Sequence, residues 1–173
     1  FMKPIDEARA LASSLSQTAN AAGCKTSAVI TDMSQPLAPA LGNALEVAEV
    51  MKALTGAAPG PLCKITAVLG GILLADAGLA ANEQAGADRI AEALSGGQVA
   101  DRFGRMIAAV GGPLGFVDNW PRFLPEATVI QEITAKHAGY VTAIDGEALG
   151  LAVVRLGGGR MVESDPINPS VGL

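Results

Sequence analysis

The sequence predicts an α/β fold in which part of a mixed sheet is flanked by helices, followed by the start of a small α+β C-terminal region. Three observations carry this prediction. Apolar residues recur at helical spacing over most of residues 4–110, a short β-branched stretch occupies 26–31, and β-branched residues return from Thr128 onward. Half of the 173 residues are apolar but only 3% are aromatic, which suits helices packed closely on a sheet. We therefore divide the chain into residues 1–125 and 126–173.

Helices in the first part are predicted from apolar spacing and from their end signals. Gly23 ends the first helix, and Asn43 is the predicted N-cap of the second, with Glu46 in the capping-box position. The TSAVIT stretch at 26–31 predicts a buried strand. The predicted helices cover residues 4–22, 44–54, 61–78, 82–95 and 98–110.

After Pro113 the composition changes. Trp120 to Pro125 predicts a proline-rich connection. Residues 128–136 and 140–144 predict a hairpin, and Asp145 should cap a helix that ends near Val154.

Charge and cysteine usage exclude several classes of function. The net charge is −5 and no cluster of Lys or Arg forms a basic stripe, so we expect no nucleic-acid partner. Two cysteines and one histidine are too few for a structural zinc site. The most apolar run, Ile65 to Ala81, contains Asp76 and three glycines, which predicts a core helix and no membrane span. Charged residues near the N-terminus argue against a signal peptide, and we expect a cytoplasmic protein.

The most informative segment runs from Thr31 through TDMSQPL and GNALEV to Glu49. It predicts a strand, an irregular loop and a capped helix start. Because ligands bind at the carboxyl ends of strands in α/β sheets, this loop is a candidate binding site. Loop carbonyls and a Glu one turn into the helix could bind a hard cation. From the residue types alone, an ordinary structural loop with a common Asn cap is the favoured explanation.

Other polar residues favour structural roles. His137 lies in the predicted hairpin turn, Asp32 can bond its own loop, and Gly157 to Arg160 lacks the following helix and Lys-Ser/Thr end of a phosphate loop. Residues 136–144 lack the lysine at the hairpin tip that a biotinyl or lipoyl carrier needs.

Several motifs together resemble thymidine phosphorylases and pyrimidine-nucleoside phosphorylases. The loop is similar to the family pattern T-D-M-x-Q-P-L followed by G-N-A-x-E-V-x-E. Phe1-Met2 resembles the end of a G-S-G-A-F-M segment, and Phe103 to Met106 an F-x-x-M helix. Gly157 to Arg160 and Asp165 to Gly172 resemble the family's G-G-G-R and D-x-I-D-x-x-V-G. Residues 1–125 then correspond to the C-terminal portion of the family's α/β domain, and 126–173 to the beginning of its C-terminal α+β region.

The resemblance implies transfer of a (deoxy)ribosyl group from a pyrimidine nucleoside to inorganic phosphate, in a cytoplasmic homodimer of nucleoside salvage without an organic cofactor. It places Phe1 beside the pyrimidine, and the carbonyls of Leu37 and Ala40 with the Glu49 carboxylate around a potassium ion. Pro39, between those carbonyls, departs from the family loop.

The family's phosphate-binding and base-binding residues lie in segments that precede the part matched here. We therefore expect this chain to be an internal piece that is inactive alone, with no catalytic residue of its own. Two alternatives stay open: a non-catalytic interaction module, and a related nucleotide phosphorylase or phosphoribosyltransferase-like enzyme.

Overall fold

The computed structural model describes residues 4–32, 34–56 and 60–173. Within these ranges the chain is helical, and its regular elements are α1 Ile5–Ala21, α2 Asn43–Leu54, α3 Pro61–Asp76, α4 Glu83–Ser95, α5 Gln98–Ala109, α6 Phe116–Phe123 and α7 Gly146–Val153, followed by a π-helical turn at Val154–Gly158. The chain divides into two compact units, one formed by residues 1–33 and 62–93 and the other by residues 34–61 and 94–173.

The α/β prediction is wrong for the described residues, among which no strand occurs. The predicted strand at 26–31 and both arms of the predicted hairpin, 128–136 and 140–144, lack regular structure. A strand exists only when a neighbour accepts and donates its backbone hydrogen bonds. The backbone of residues 28–31 makes none within the described chain. Side chains of the predicted hairpin are almost fully exposed, with Ile130 at 89% and Tyr140 at 98%.

The helix predictions fared better because helix signals are local. The predictions at 4–22, 82–95 and 98–110 correspond to α1, α4 and α5, and Asp145 caps α7 by accepting from the Ala148 N–H at 2.9 Å. The start of α2 differs by one residue. Gly42, not Asn43, is its N-cap, and the Glu46 carboxylate accepts from the Gly42 N–H at 3.0 Å.

The core of the second unit lies where α2, α5 and α6 meet. Met51 is fully buried there, and Leu54, Ala100 and Phe116 surround it. On α2, Val47, Met51 and Leu54 recur at the spacing of one helical face, which explains why this face of the helix is covered. Packing of α2 by its apolar face fixes where its first turn begins, and the candidate site lies at that turn.

Helix α6 replaces the predicted proline-rich connection. Pro121 lies inside it, and Asn119 departs from helical geometry with φ −135° and ψ 24°. A proline ring clashes with the carbonyl four residues earlier in a regular helix, and the kink at Asn119 relieves that clash. Stacking of Phe116 on Phe123, with ring centroids 5.9 Å apart, stabilises the two halves of the kinked helix.

Helix α3 is less buried than predicted. Gly71 is its buried residue, whereas Leu73 is 68% exposed, so the expectation of a core helix packed on nearly all sides is wrong. None of the described helices is both long and apolar enough to span a bilayer.

Glycines bring α3 and α4 into close contact in the first unit. A Cβ on Gly71 would lie 2.5 Å from the Glu83 carbonyl oxygen and 2.6 Å from the Ala87 nitrogen. A Cβ on the neighbouring Gly70 would meet only the side chain of Ile90, at 3.0 Å, which can rotate away.

We expect Gly71→Ala to lower the free energy of unfolding by about 1–3 kcal/mol, because backbone atoms cannot yield without separating the helices. Gly70→Ala is the matched control, on the same helix with the same gain in helix propensity, and should be neutral or stabilising by up to about 1 kcal/mol. Urea unfolding of both variants measures the difference. Equal stabilities would show that the close contact between α3 and α4 does not hold in solution.

Candidate functional site

The candidate site is the irregular segment 34–42 together with the first two turns of α2. Gly42 joins them with φ +131°, a backbone conformation that other residues rarely adopt. Its N–H is satisfied by Glu46, so the entry into the helix is closed by a hydrogen bond from within α2. All of these residues belong to the second unit.

The C-terminal segment of the chain lies directly against this helix start. Leu41 and Leu173 exchange both backbone hydrogen bonds, at 2.9 and 2.8 Å, as opposed residues do in a hydrogen-bonded antiparallel pair. The Ala44 N–H donates to the Pro169 carbonyl at 3.0 Å. Ala44 is one of the first residues of α2, whose N–H groups have no partner within the helix, so Pro169 supplies the missing acceptor.

Side chains of the C-terminal segment fix its shape. The Asn168 carboxamide oxygen accepts from the Ser170 N–H at 3.1 Å and from the Ser170 hydroxyl at 2.7 Å. The Asp165 carboxylate accepts from the N–H groups of Met161 and Val162 at 2.9 and 3.0 Å. These are local turns in which Asn and Asp side chains replace backbone acceptors, so the segment reaches α2 in a defined conformation.

The glycine-rich stretch 157–160 has the structural role that its sequence favours. Gly157, with φ +89°, departs from helical geometry within the π-helical turn, and its carbonyl accepts from the Asn168 N–H at 2.8 Å. The turn therefore anchors the C-terminal segment. His137 is exposed and makes no hydrogen bond or ion pair within the described chain.

The sequence-predicted cation ligands occupy different environments. Leu37 is exposed and Ala40 is half-buried, and neither of their carbonyls accepts a hydrogen bond from the described residues. The Glu49 side chain is only 13% exposed, and its carboxylate forms an ion pair with the ammonium of Lys52, one turn further along α2. That these three oxygens converge on one point stays a prediction. Phe1, the predicted wall beside the pyrimidine, lies outside the described residues.

The donor set suits an alkali cation in kind, since two carbonyls and a carboxylate are hard oxygen ligands. The Glu49 carboxylate would have to contact both the Lys52 ammonium and the ion, or release Lys52 to bind the ion. Among the residues that the structure describes, no group of three or more His, Cys, Asp or Glu side chains is placed to hold a metal ion. A cation at this loop would therefore depend on backbone carbonyls.

A second polar cluster, in the first unit, was not foreseen. The Ser27 hydroxyl donates to Asp76 at 2.6 Å, and the Lys25 ammonium lies 3.4 Å from the other carboxylate oxygen. The Ser27 hydrogen bond lowers the pKa of Asp76, partial burial opposes this shift, and Lys25 adds to it. An acid in the last turn of α3 faces the negative end of the helix dipole, and Lys25 offsets this. The signal that could have predicted this cluster is the single acid, Asp76, in an apolar run, because a carboxylate among apolar residues requires polar or charged partners.

A shallow groove also lies in the first unit, between α1 and residues 26–30. Its only charged side chain, Arg9, already contacts Asp6 at 3.5 Å. The lining is otherwise small and polar or aliphatic: Ala12, Ser13, Ser16, Gln17, Asn20, Thr26, Ala28 and Ile30. Among the described residues that line the groove, no charged side chain lacks a partner.

Comparison with known families gives a match in the C-terminal part of the chain. A family model for the pyrimidine nucleoside phosphorylase C-terminal domain matches residues 140–173. The match confirms the resemblance for the motifs that lie within it, Gly157 to Arg160 and Asp165 to Gly172, and it is consistent with a C-terminal portion of that family. The matched residues include α7, the π-helical turn and the segment that bonds to the start of α2.

Proposed function

We propose that this chain is part of a pyrimidine-nucleoside phosphorylase that acts on thymidine or a close relative. The observation that carries the proposal is the family match over residues 140–173. The hydrogen bonds between this region and the start of α2 support it, because the G-N-A-L-E-V stretch at that start resembles a pattern of the same family. A stretch within the family match and a stretch that resembles the family thus meet in one place.

The reaction breaks the bond between the sugar C1′ and the pyrimidine nitrogen and forms a bond between C1′ and a phosphate oxygen. The base leaves with the electron pair of the broken bond and takes up a proton, so no oxidant or reductant is required. Stabilising the departing base and holding phosphate beside C1′ are electrostatic and positional tasks. We assign these two tasks to residues of the intact enzyme that lie outside the 173 residues of this chain.

The contribution of this chain is to shape the rim of the site. Phe1 would form an apolar wall for the pyrimidine, and the Leu37 and Ala40 carbonyls with Glu49 would hold a monovalent cation. When bound, such an ion supplies a fixed positive charge. Glu49 is suited to this role because its side chain is largely buried and its negative charge is only weakly screened by water. The intact enzyme is proposed to be a homodimer.

The test is an assay of the intact protein that contains this sequence. We expect it to release thymine from thymidine, or uracil from uridine, only when inorganic phosphate is present, with pentose 1-phosphate as the second product. Arsenate in place of phosphate should also support base release, since it offers the same nucleophilic oxygens. Base release from neither nucleoside would contradict the proposal. Consumption of phosphoribosyl pyrophosphate instead would identify a transferase that shares the fold.

A further inference from the structure

Residues 41–44 and 169–173 form a backbone clasp, the name used here for these two segments and the hydrogen bonds that join them. The clasp consists of the reciprocal pair between Leu41 and Leu173 and the bond from Ala44 to Pro169. Backbone groups make all three bonds, so their geometry depends on how closely the two segments approach rather than on any one side chain.

Two glycines permit that approach. A Cβ on Gly42 would lie 2.5 Å from the Val171 carbonyl oxygen, and a Cβ on Gly172 would lie 2.2 Å from the Leu41 carbonyl oxygen. Both distances are far inside van der Waals contact, and the atoms that would be struck are backbone atoms. A side chain at either glycine must therefore separate the segments and lengthen the bonds between them.

The clasp includes the peptide group between Ala40 and Leu41, whose carbonyl is a predicted cation ligand. The N–H of Leu41 and the C=O of Ala40 belong to the same peptide group, which is planar and trans, so the two bonds point in opposite directions. By accepting from the Leu41 N–H at 2.9 Å, the Leu173 carbonyl aims the Ala40 carbonyl away from the C-terminal segment. The Ala40 carbonyl itself makes no hydrogen bond within the described part of the chain.

We propose that Gly172 and Leu173 are positioning residues that hold the Ala40 carbonyl in the orientation needed to bind the cation. The role rests on the proposed function, because it supposes that the loop binds an ion. It extends that function by giving the C-terminal region a direct part in shaping the loop. The reciprocal pair fixes the peptide from one side, and the fully buried anchor of α2, Met51, fixes the helix that follows.

The first arm of the test measures amide hydrogen exchange in the 173-residue chain. Gly172→Ala should make the Leu41 and Ala44 amides exchange at least about tenfold faster, since protection follows the stability of the local structure. Leu173→Pro is a second variant, which removes the N–H that donates to Leu41 and adds no side chain at 172. Gly139→Ala is the matched control, because a Cβ there meets nothing within 4 Å. Equal exchange at Leu41 in Gly172→Ala and Gly139→Ala would overturn the proposal.

The second arm measures potassium dependence of phosphorolysis in the intact enzyme. Gly172→Ala should raise the potassium concentration for half-maximal rate about fivefold, the change expected from weakening one hydrogen bond, while kcat at saturating potassium is retained. An unchanged half-saturation, or an active wild-type enzyme indifferent to potassium, would overturn the positioning role and leave the phosphorylase assignment standing. An inactive wild-type enzyme would contradict the proposed function, and the exchange arm would still decide whether the clasp orders the loop.

Discussion

The 173-residue chain alone should release no measurable thymine from thymidine at saturating phosphate, under conditions in which the proposed intact phosphorylase turns over. The reason is chemical. Phosphate and pyrimidine recognition require oriented N–H donors and cationic side chains, and the resemblance assigns these groups to segments other than the one matched here. Removing a single donor of this kind typically costs about 10²–10³ in rate, so the loss of the full set should exceed a thousandfold.

The measurement is base release with thymidine and with uridine, each at saturating phosphate, with the intact enzyme as positive control. Uridine is included because the resemblance implies that the contacts that distinguish the two nucleosides lie outside the part matched here. Turnover of either nucleoside within about tenfold of the intact enzyme, a barrier difference of about 1.4 kcal/mol, would contradict the prediction. It would also mean that a catalytic arrangement exists within this chain.

Helices could be predicted because their signals lie within a few residues of where they act. Spacing of apolar residues located α1, α4 and α5, and the Asp145 cap located α7. The kinked helix α6 was missed because Pro121 and Pro125 are ordinarily signs of a connection. Only the tertiary contact of Phe116 with Phe123 shows why a helix persists around Pro121.

Strand predictions failed because composition describes a residue's preference, whereas a strand is a property of two paired segments. The β-branched run at 26–31 has that preference but no ladder partner among the described residues. The same limit applied to the clasp. The stretches around Gly42 and Gly172 could each be singled out in the sequence. They lie far apart along the chain, however, and backbone hydrogen bonds join them, so no local pattern of side chains indicates their contact.

The candidate site was partly predictable for a similar reason. The loop after Thr31 could be singled out from its residue types and from the family pattern. The pairing of Glu49 with Lys52 follows from their spacing of three residues on a helix, and the sequence contains that signal. Orientation of the Ala40 carbonyl depends on Leu173, and no local pattern indicates it.

Replacing Met51 with Ala should cause the largest loss of stability of any single change considered, about 2–5 kcal/mol in the free energy of unfolding. Met51 is the one described side chain with no exposed surface, and it lies among Leu54, Ala100 and Phe116 where three helices meet. Truncation removes apolar contacts and leaves a cavity that rigid helices fill only in part. Because single domains are stable by only about 5–15 kcal/mol, much of the second unit's stability should be lost.

Two further variants separate the cavity from other effects of the substitution. Met51→Leu preserves volume and should cost less than about 1.5 kcal/mol. Met106→Ala, on α5 in the same unit, removes the same atoms from a side chain that is 50% exposed and should change stability by about 0.5 kcal/mol or less. Thermal and urea unfolding followed by circular dichroism provide the comparison. If Met51→Ala and Met106→Ala lost equal stability, the core around Met51 could not be what holds α2 against α5 and α6, and the start of α2 would need another anchor.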